Sequence, residues 1–529
     1  MSLGKVLVCD KISDAGLKLL KDAGAEALVQ NGLTEAELVD IVRDVDAIIV
    51  RSATKITSKI IESAKKLQVI ARAGVGVDNI DVDSATKRGV IVVNSPEGNT
   101  IAAAEHTLAM MLALSRKIPQ ADPSLRKGEW NRSAYTGVEV YGKTLGVLGL
   151  GKIGSRVAQY GAALGMRVIG SDPFVTPEYA KKIGVELRPY EEIIKEADYI
   201  TLHIPKTKET QKMFNRELLA RLKKGVRVIN CARGGIIDED ALVEAIKSGH
   251  VAGAAIDVFE EEPPRKDHPL FQLPQVVVTP HLGAATVEAQ VNVAIDVISQ
   301  VIDVLNGGSA RAAVNIPAMR PEIVMPVRPW LPIAEKLGKL AAQLVTGAIT
   351  AVEVRYLGEV AVHDTSPLSV SVLKGVLAAT LQESVNFVNA PVLAKERGIR
   401  VIESKSTEIT DFANLVSVRV TAASGKHTVD GTLFGTYGER LVRIDGYKLE
   451  AVPAGAMLIL GNVDKPGMIG QMGTILGKKG INIASMDVGR EKIGDEARMV
   501  LNVDQKIPPD LVSEIEKIDG ITWAIAVEL

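Results

Sequence analysis

Three clusters of polar residues follow three successive apolar runs near the middle of the chain. Arg233 lies in the glycine-rich segment 230–235, Glu262 in the acidic segment 257–264, and His281 in the segment 279–284. An imidazole can accept a proton near neutral pH, a carboxylate can orient it, and a guanidinium can hold a carboxylate through two hydrogen bonds. Each residue also has an ordinary alternative: an ion-paired arginine, a solvated acidic turn, or a hydrogen-bonded loop histidine.

A glycine-rich turn precedes these clusters at Gly149, Gly151 and Gly154. It joins the apolar run 145–150 to a helical pattern, and a second apolar run, 168–170, ends at Asp172. In such a unit the glycines permit a tight turn, admit a pyrophosphate to backbone N–H groups, and let the helix pack on its strand. Asp172 lies 18 residues after Gly154, where a carboxylate accepts ribose hydroxyls and repels a 2′-phosphate. The unit predicts binding of NAD; glycines that only tighten a βα turn are the alternative.

The composition limits the remaining possibilities. A chain of 529 residues predicts three or four domains, and 47% hydrophobic with 24% charged residues is typical of a globular protein. A net charge of −2 and 4% aromatic residues argue against nucleic acid and anionic membranes as partners. The two cysteines, Cys9 and Cys231, lack metal-ligand spacing and favour a reducing compartment. We therefore expect a cytoplasmic protein with no metal site, no signal peptide and no membrane span.

Alternating strands and helices must position the polar clusters. The predicted strands are 6–9, 47–50, 69–71, 90–93, 199–204, 226–230, 254–258 and 276–279, and the predicted helices are 13–23, 34–43, 99–119 and 286–305. This alternation indicates parallel sheets, in which ligands bind beyond the carboxyl ends of the strands. The helix 99–119 is apolar on most of its surface, so we expect it to be buried in a core or between subunits.

The rest of the chain changes character. Residues 306–308 predict a helix stop and a flexible joint, and residues 309–330 carry prolines typical of a linker. Helices at 331–345 and 368–385 accompany alternating strands such as 415–420, which predicts an α+β domain. Residues 455–529 follow the order strand, helix, strand, strand, helix, strand, which is the ferredoxin-like unit.

Several motifs together resemble a known family. The segments 72–79, 231–235, 257–264 and 280–284, with the glycine turn, are similar to the D-isomer-specific 2-hydroxyacid dehydrogenases over residues 1 to about 310. The resemblance implies an α/β fold in which a Rossmann dinucleotide-binding domain (99–281) is inserted in a flavodoxin-like substrate domain (1–98 and 282–310). An α+β intervening domain (319–452) and a ferredoxin-like βαββαβ ACT domain (455–529) are then expected to follow.

The resemblance also implies roles for individual residues. His281 would be the general acid/base, Glu262 its carboxylate partner, and Arg233 the ligand of the substrate carboxylate and carbonyl. The cofactor NAD would meet Gly149, Gly151, Lys152, Ile153, Gly154, Asp172, Cys231, Ala232, Asp257, Gly283 and Ala284. Lys152 stands where the family often has Arg, and we expect that difference to matter little for pyrophosphate contact.

The first lobe carries the features that select the substrate. Arg51 and Arg72 end two predicted strands, and a phosphate needs such added positive charge together with backbone N–H donors. The predicted substrate residues are Arg51, Ser52, Arg72, Ala73, Gly74, Asn79, Arg233 and His281. They favour a phosphorylated 2-hydroxy acid, and the resemblance implies that it is D-3-phosphoglycerate, oxidised to 3-phosphohydroxypyruvate in the first step of phosphorylated L-serine synthesis. Another D-2-hydroxy acid such as glycerate, or a non-catalytic NAD-sensing scaffold, remains the alternative.

The C-terminal unit resembles the ACT ligand loop. Asn462, Asp464 and Asn482 are the candidates for an effector site that takes L-serine, because an acid or amide can meet its ammonium group. A dimerising unit that binds nothing is the alternative. We expect a homo-oligomer, either a dimer or a homotetramer.

Overall fold

The structure of the chain, a computed structural model, describes residues 3–308, 310–316, 319, 321–381, 385–408 and 411–529. Predictions that cover residues 1–2, 309, 317–318, 320, 382–384 and 409–410 lie outside the described residues at those positions. The described residues form four β-sheets. Among them, no helix combines the length and apolar character that crossing a bilayer requires.

The first sheet has five parallel strands in the flavodoxin-like order β2-β1-β3-β4-β5, as predicted. Its elements are β1 Lys5–Val8, α1 Asp14–Asp22, β2 Glu26–Val29, α2 Glu35–Ile41, β3 Ala47–Val50, α3 Ser58–Ser63, β4 Val69–Arg72, α4 Val82–Lys87 and β5 Ile91–Asn94. Thr34 caps α2 through a capping box, since its hydroxyl accepts from Glu37 N–H while the Glu37 carboxylate accepts from Thr34 N–H. Strand β2 and helices α3 and α4 had no sequence prediction.

The second sheet has seven parallel strands in the order β12-β11-β10-β9-β6-β7-β8, the doubly wound Rossmann arrangement. Its elements are α5 Thr100–Arg116, α6 Ile118–Arg126, β6 Thr144–Leu148, α7 Lys152–Ala163, β7 Arg167–Ser171, α8 Pro177–Lys182, β8 Glu186–Leu187, α9 Tyr190–Glu196, β9 Tyr199–Leu202, α10 Arg216–Arg221, β10 Val226–Asn230, α11 Glu239–Lys247, β11 Val251–Ile256, β12 Val276–Val278 and α12 Val287–Leu305. Helix α12 returns to the first lobe and packs on α1, where a Cβ at Gly16 would lie 2.8 Å from Ile298 Cδ1.

Two predictions about the connections are wrong. The helix predicted at 99–119 ends at Arg116, because Lys117 adopts a left-handed conformation (φ 52°) and α6 starts at Ile118. The segment 310–316, predicted as part of a linker, packs on the first lobe. The Asn315 amide accepts from Val92 N–H at 2.9 Å and donates to Val90 O at 2.9 Å. These bonds continue the edge of the first sheet beyond β5.

The last two sheets form one packed unit. The third has the order β14-β13-β15-β16-β17-β18 and the fourth the order β20-β21-β19-β22. Their elements are α13 Pro321–Val327, α14 Leu331–Gln343, β13 Ile349–Gly358, α15 Ser366–Thr380, α16 Ala390–Glu396, β14 Arg400–Ser406, β15 Asn414–Ala422, β16 Gly425–Phe434, β17 Gly438–Ile444, β18 Tyr447–Ala451, β19 Ala456–Val463, α17 Met468–Lys478, β20 Ile483–Arg490, β21 Glu496–Val503, α18 Pro509–Ile515 and β22 Ile521–Glu528. The fourth sheet is the predicted βαββαβ unit. Its residues Met457, Ile459, Val500 and Val527 belong to the apolar core of the third sheet.

Candidate active site

A cavity of about 580 Å³ lies between the first two lobes, where strands of both sheets end. Arg51 follows β3, Arg72 ends β4, Arg233 follows β10 and His281 follows β12. The predicted site residues that line it are Arg51, Ser52, Arg72, Ala73, Gly74, Gly151, Lys152, Ile153, Gly154, Cys231, Ala232, Arg233, Glu262, His281, Gly283 and Ala284. Residues from distant parts of the chain therefore meet because parallel strands end at the same edge of each sheet.

His281 and Glu262 form a hydrogen-bonded pair in this cavity. The distance from His281 Nδ1 to Glu262 Oε2 is 2.8 Å, and both side chains are about two-fifths exposed, at 42% and 40%. Burial opposes ionisation of Glu262, but its bond to His281, the charge of that residue, and the Phe259 N–H together hold the pKa of Glu262 below its usual value. The carboxylate is thus charged at neutral pH and can orient the imidazole and stabilise its protonated form.

The turn that carries His281 is held by Asp257. His281 has a left-handed backbone (φ 55°), and its N–H donates to Asp257 O at 2.9 Å. The buried Asp257 carboxylate accepts from Thr279 Oγ1 at 2.6 Å and from the N–H groups of Leu282 and Gly283 at 2.7 and 3.0 Å. Although its surroundings desolvate it, these donors and His106 hold the pKa of Asp257 below its usual value. Asp257 does not line the cavity and its carboxylate fixes the turn that carries His281, while its contact with NAD stays a prediction.

Three arginines contribute positive charge to the cavity, as do Lys152 and Lys206. Burial, and then the charge of Arg233, lower the pKa of Arg72 to about 10. Arg51 also lines the cavity, and its backbone N–H donates to Asp10 Oδ2 at 2.6 Å. Arg233 Nη1 donates to Ala232 O at 2.7 Å, and its Nε lies 3.3 Å from Asp78 Oδ2. Such a group of guanidinium ions suits an anion with more than one charge.

The glycine turn leaves room for a dinucleotide. Gly149 has φ +91°, which L side chains rarely adopt, and a Cβ at Gly154 would overlap the Gly149 carbonyl oxygen. Around Gly151 a Cβ would meet nothing within 4 Å, so the backbone that begins α7 is accessible to a phosphate. Asp172 follows β7 and accepts from Leu150 N–H at 2.8 Å, which places its carboxylate beside this turn. The residues present therefore fit NAD.

Comparison with known proteins agrees with this geometry. Residues 108–283 match the D-isomer specific 2-hydroxyacid dehydrogenase NAD-binding domain, residues 326–445 the D-3-phosphoglycerate dehydrogenase intervening domain, and residues 456–520 the ACT domain. A D-3-phosphoglycerate dehydrogenase of Synechocystis is 49% identical over 529 residues, covering 100% of this chain and 95% of that protein. A D-3-phosphoglycerate dehydrogenase of Bacillus subtilis is 46% identical and covers 99% of both chains.

The chain belongs to the D-3-phosphoglycerate dehydrogenases. Solved structures match a little over half of the chain. The TT0316 protein from Thermus thermophilus has a TM-score of 0.55 at 36% identity and covers 59% of this chain and 99% of its own. A D-lactate dehydrogenase from Aquifex aeolicus in complex with NAD and lactic acid has a TM-score of 0.52 at 29% identity, covering 57% and 96%. The second lobe is accordingly an NAD-binding domain.

Some residues of the site had no sequence prediction. Asp78 and Lys206 line the cavity, and so does His203, whose pKa is lowered to about 4 by burial. His106 on α5 lies 3.1 Å from Asp257 Oδ1, and with Cys231 these residues bring three ligand atoms within 4.8 Å of one another. That spacing could hold a cation, although no metal site was expected. Asp78 lies in the segment 72–79, one of the motifs that carry the family resemblance, so it could have been predicted. His106 could not, because only the folded chain brings α5 beside the turn that carries His281.

Other predicted residues lie outside the cavity. Asn79 donates its amide to Arg51 O at 2.7 Å and to Thr54 O at 2.6 Å, so it braces the loop of Arg51 and does not line the cavity. In the ACT domain, Asn462 is buried and donates to Val463 O at 2.9 Å. Asp464 accepts from Arg490 at 2.6 Å.

Asn482 lies far from Asp464 within the ACT domain. Asn482 precedes β20, and its amide donates to Asp504 at 2.7 Å at the end of the sheet where β19 begins. Asp464 follows the last residue of β19, at the opposite end. Eight strand residues separate the two positions, which corresponds to roughly 25 Å. One small ligand therefore cannot contact both residues of the same chain.

Proposed function

We propose that the chain oxidises D-3-phosphoglycerate to 3-phosphohydroxypyruvate with NAD, with Arg233, Glu262 and His281 as the catalytic residues. The observation that carries the proposal is their meeting with the glycine turn in one cavity between two lobes. The full-length identity to D-3-phosphoglycerate dehydrogenases supports the choice of substrate.

The chemistry assigns each side chain one task. His281 accepts the C2 hydroxyl proton at Nε2, because its Nδ1 is engaged by Glu262. Glu262 stabilises the imidazolium that results, since its own carboxylate stays charged. Arg233 binds the C1 carboxylate and polarises the developing C2 carbonyl. NAD, when bound at the glycine turn, supplies the acceptor for the hydride from C2.

The phosphate of the substrate is assigned to Arg51 and Arg72, with Ser52 and the backbone at Ala73 and Gly74 as further donors. This proposal rests on the position of both arginines in the wall of the cavity, on the lobe that faces the cofactor domain. A phosphorylated substrate needs these two arginines in addition to Arg233, whereas lactate and glycerate carry only the carboxylate that Arg233 binds.

A substrate panel tests the phosphate assignment. We expect Arg51→Ala and Arg72→Ala to lower kcat/KM for D-3-phosphoglycerate by about 10- to 100-fold, as for loss of a charge-assisted hydrogen bond. Loss for D-glycerate should be small, because it lacks the phosphate. Arg126→Ala, on the exposed end of α6, is the matched control. Equal losses for both substrates would contradict the phosphate role.

The ACT domain indicates regulation by a small molecule, and we propose L-serine as the effector and a homo-oligomer as the assembly. Asp464 and Asn482 lie too far apart for one ligand within a chain, so a site using both needs the Asp464 end of one copy beside the Asn482 end of another. This geometry supports a dimeric ACT pair, in either a dimer or a tetramer.

We also propose the division into units 1–98 with 282–310, 99–281, 319–452 and 455–529, on the grounds that each contains one sheet or its covering helix. The bonds of Asn315 support extending the first unit to at least residue 316. A cytoplasmic location stays a prediction, for which the two free cysteines are the support.

A further inference from the structure

Arg233 is engaged from two sides of the cavity. Its Nη1 donates to the carbonyl of Ala232, its own neighbour in the chain, and its Nε lies 3.3 Å from Asp78 Oδ2. Asp78 belongs to the loop after β4 in the first lobe, whereas Arg233 follows β10 in the second. The ion pair therefore crosses the cavity in which the substrate carboxylate must bind.

Gly76 shows how closely this pair is seated. A Cβ at Gly76 would lie 2.5 Å from Arg233 Nη2 and 2.8 Å from Asp78 Oδ2. Both charged groups thus lie directly over the backbone of Gly76, which allows the approach because it has no side chain. The Asp78 oxygen consequently lies at the edge of the guanidinium formed by Nε and Nη2.

Charge balance distinguishes Asp78 from the other acid of the cavity. Among the described residues that line it, the carboxylates are Asp78 and Glu262. Glu262 already accepts from His281 and from the Phe259 N–H. Asp78 is the acid that faces the arginines, and its side chain is 71% exposed, so it can move away without leaving a buried charge.

We propose that Asp78 competes with the C1 carboxylate of the substrate for Arg233, and thereby sets the affinity for the 2-hydroxy acid. A carboxylate binds a guanidinium best through two parallel hydrogen bonds. Asp78 Oδ2 lies 3.3 Å from Nε while Ala232 O accepts from Nη1, so a substrate carboxylate that takes the edge formed by Nε and Nη2 must displace Asp78. Ala232 O is fixed by its covalent position, whereas Asp78 is exposed. The inference rests on the proposed role of Arg233.

The test is the sign of the change in KM for Asp78→Asn, which removes the charge and keeps the shape. We expect KM to fall by about two- to fivefold, the range of an exposed ion pair, for both D-3-phosphoglycerate and D-glycerate. Asp267→Asn is the matched control, since that aspartate is 85% exposed and does not line the cavity. If Asp78→Asn melts at a lower temperature than wild type, Asp78→Ser is measured in its place.

Two results would overturn the competition. An unchanged KM means that Asp78 does not oppose the substrate, and a higher KM means that it positions Arg233. Arg233→Lys separates this failure from failure of the proposed site, because the loss of a bidentate partner must raise KM for both acids. If Arg233→Lys leaves KM unchanged, the carboxylate assignment itself is wrong, and the competition falls with it.

Discussion

At the scale of single residues, the proposed catalytic side chains could be picked out from the sequence, but the residues that support them could not. His281 and Glu262 stand in motifs that can be read in the chain, and the structure pairs them at 2.8 Å. Asp257 stands in the same kind of motif, yet it accepts from the turn at 279–283 and lies outside the cavity. The sequence pattern predicts that Asp257 lies at the end of a strand. It does not predict which backbone N–H groups donate hydrogen bonds to its carboxylate.

Glu262 should control the pH dependence of the reaction. Since its pKa is held below the usual value, Glu262 is charged at neutral pH and can stabilise the imidazolium that forms when His281 accepts the substrate proton. Glu262→Gln removes that charge, so the fall in kcat/KM that accompanies protonation of Glu262 at acidic pH should be lost. We also expect kcat to fall by about 10- to 100-fold, because the imidazolium is less stable. A pH profile measured with NADH formation checks both changes; a fall at acidic pH that persists would contradict the pairing.

At the scale of elements, buried strands were predicted well and exposed elements poorly. Strand β3 has the predicted bounds because its continuous apolar run marks a strand buried in a parallel sheet, and β10 has them because its β-branched residues Val226, Val228 and Ile229 are buried. Strand β2 lies at the sheet edge, and its residues are partly exposed or exposed, so it lacks that pattern. The early end of α5 depends on the left-handed Lys117, which apolar periodicity does not reveal.

Gly154→Ala tests the packing of the cofactor turn. The added Cβ would overlap the Gly149 carbonyl oxygen and lie 3.2 Å from His203 Cβ, so α7 must shift away from its strand. We expect the Kd for NAD to rise by at least about tenfold, measured by NAD titration of intrinsic fluorescence. Gly473→Ala in α17 is the control, because a Cβ there meets nothing within 4 Å. Unchanged NAD affinity in Gly154→Ala would show that this helix is not part of the site.

At the scale of the whole molecule, the regulatory unit is joined to its neighbour by a shared apolar core. Met457, Ile459, Val500 and Val527 pack with the intervening domain, so removal of residues 455–529 would expose that core. The flexible joint expected near 306–308 is also restricted, because segment 310–316 is bound to the first sheet. Such contacts between distant segments leave no periodic signal in the sequence.

Point substitution is therefore the better test of the effector site. We expect Asn482→Ala to raise the L-serine concentration that gives half of the maximal effect by at least about tenfold, since a hydrogen bond to a charged ligand is lost. The measurement is the ratio of NADH formation with and without L-serine. Lys506→Ala, on an exposed side chain of the same domain, is the control. An unaltered response would place the effector elsewhere.

We propose that His281 moves the proton in a cavity that binds NAD independently of this side chain. Steady-state turnover of His281→Ala, measured together with the Kd for NAD, tests it most directly. We expect kcat to fall by ~10²–10⁴ while NAD affinity stays close to wild type. Turnover at the level of the wild type would contradict it, because the only described imidazole paired with Glu262 would then have no part in the reaction.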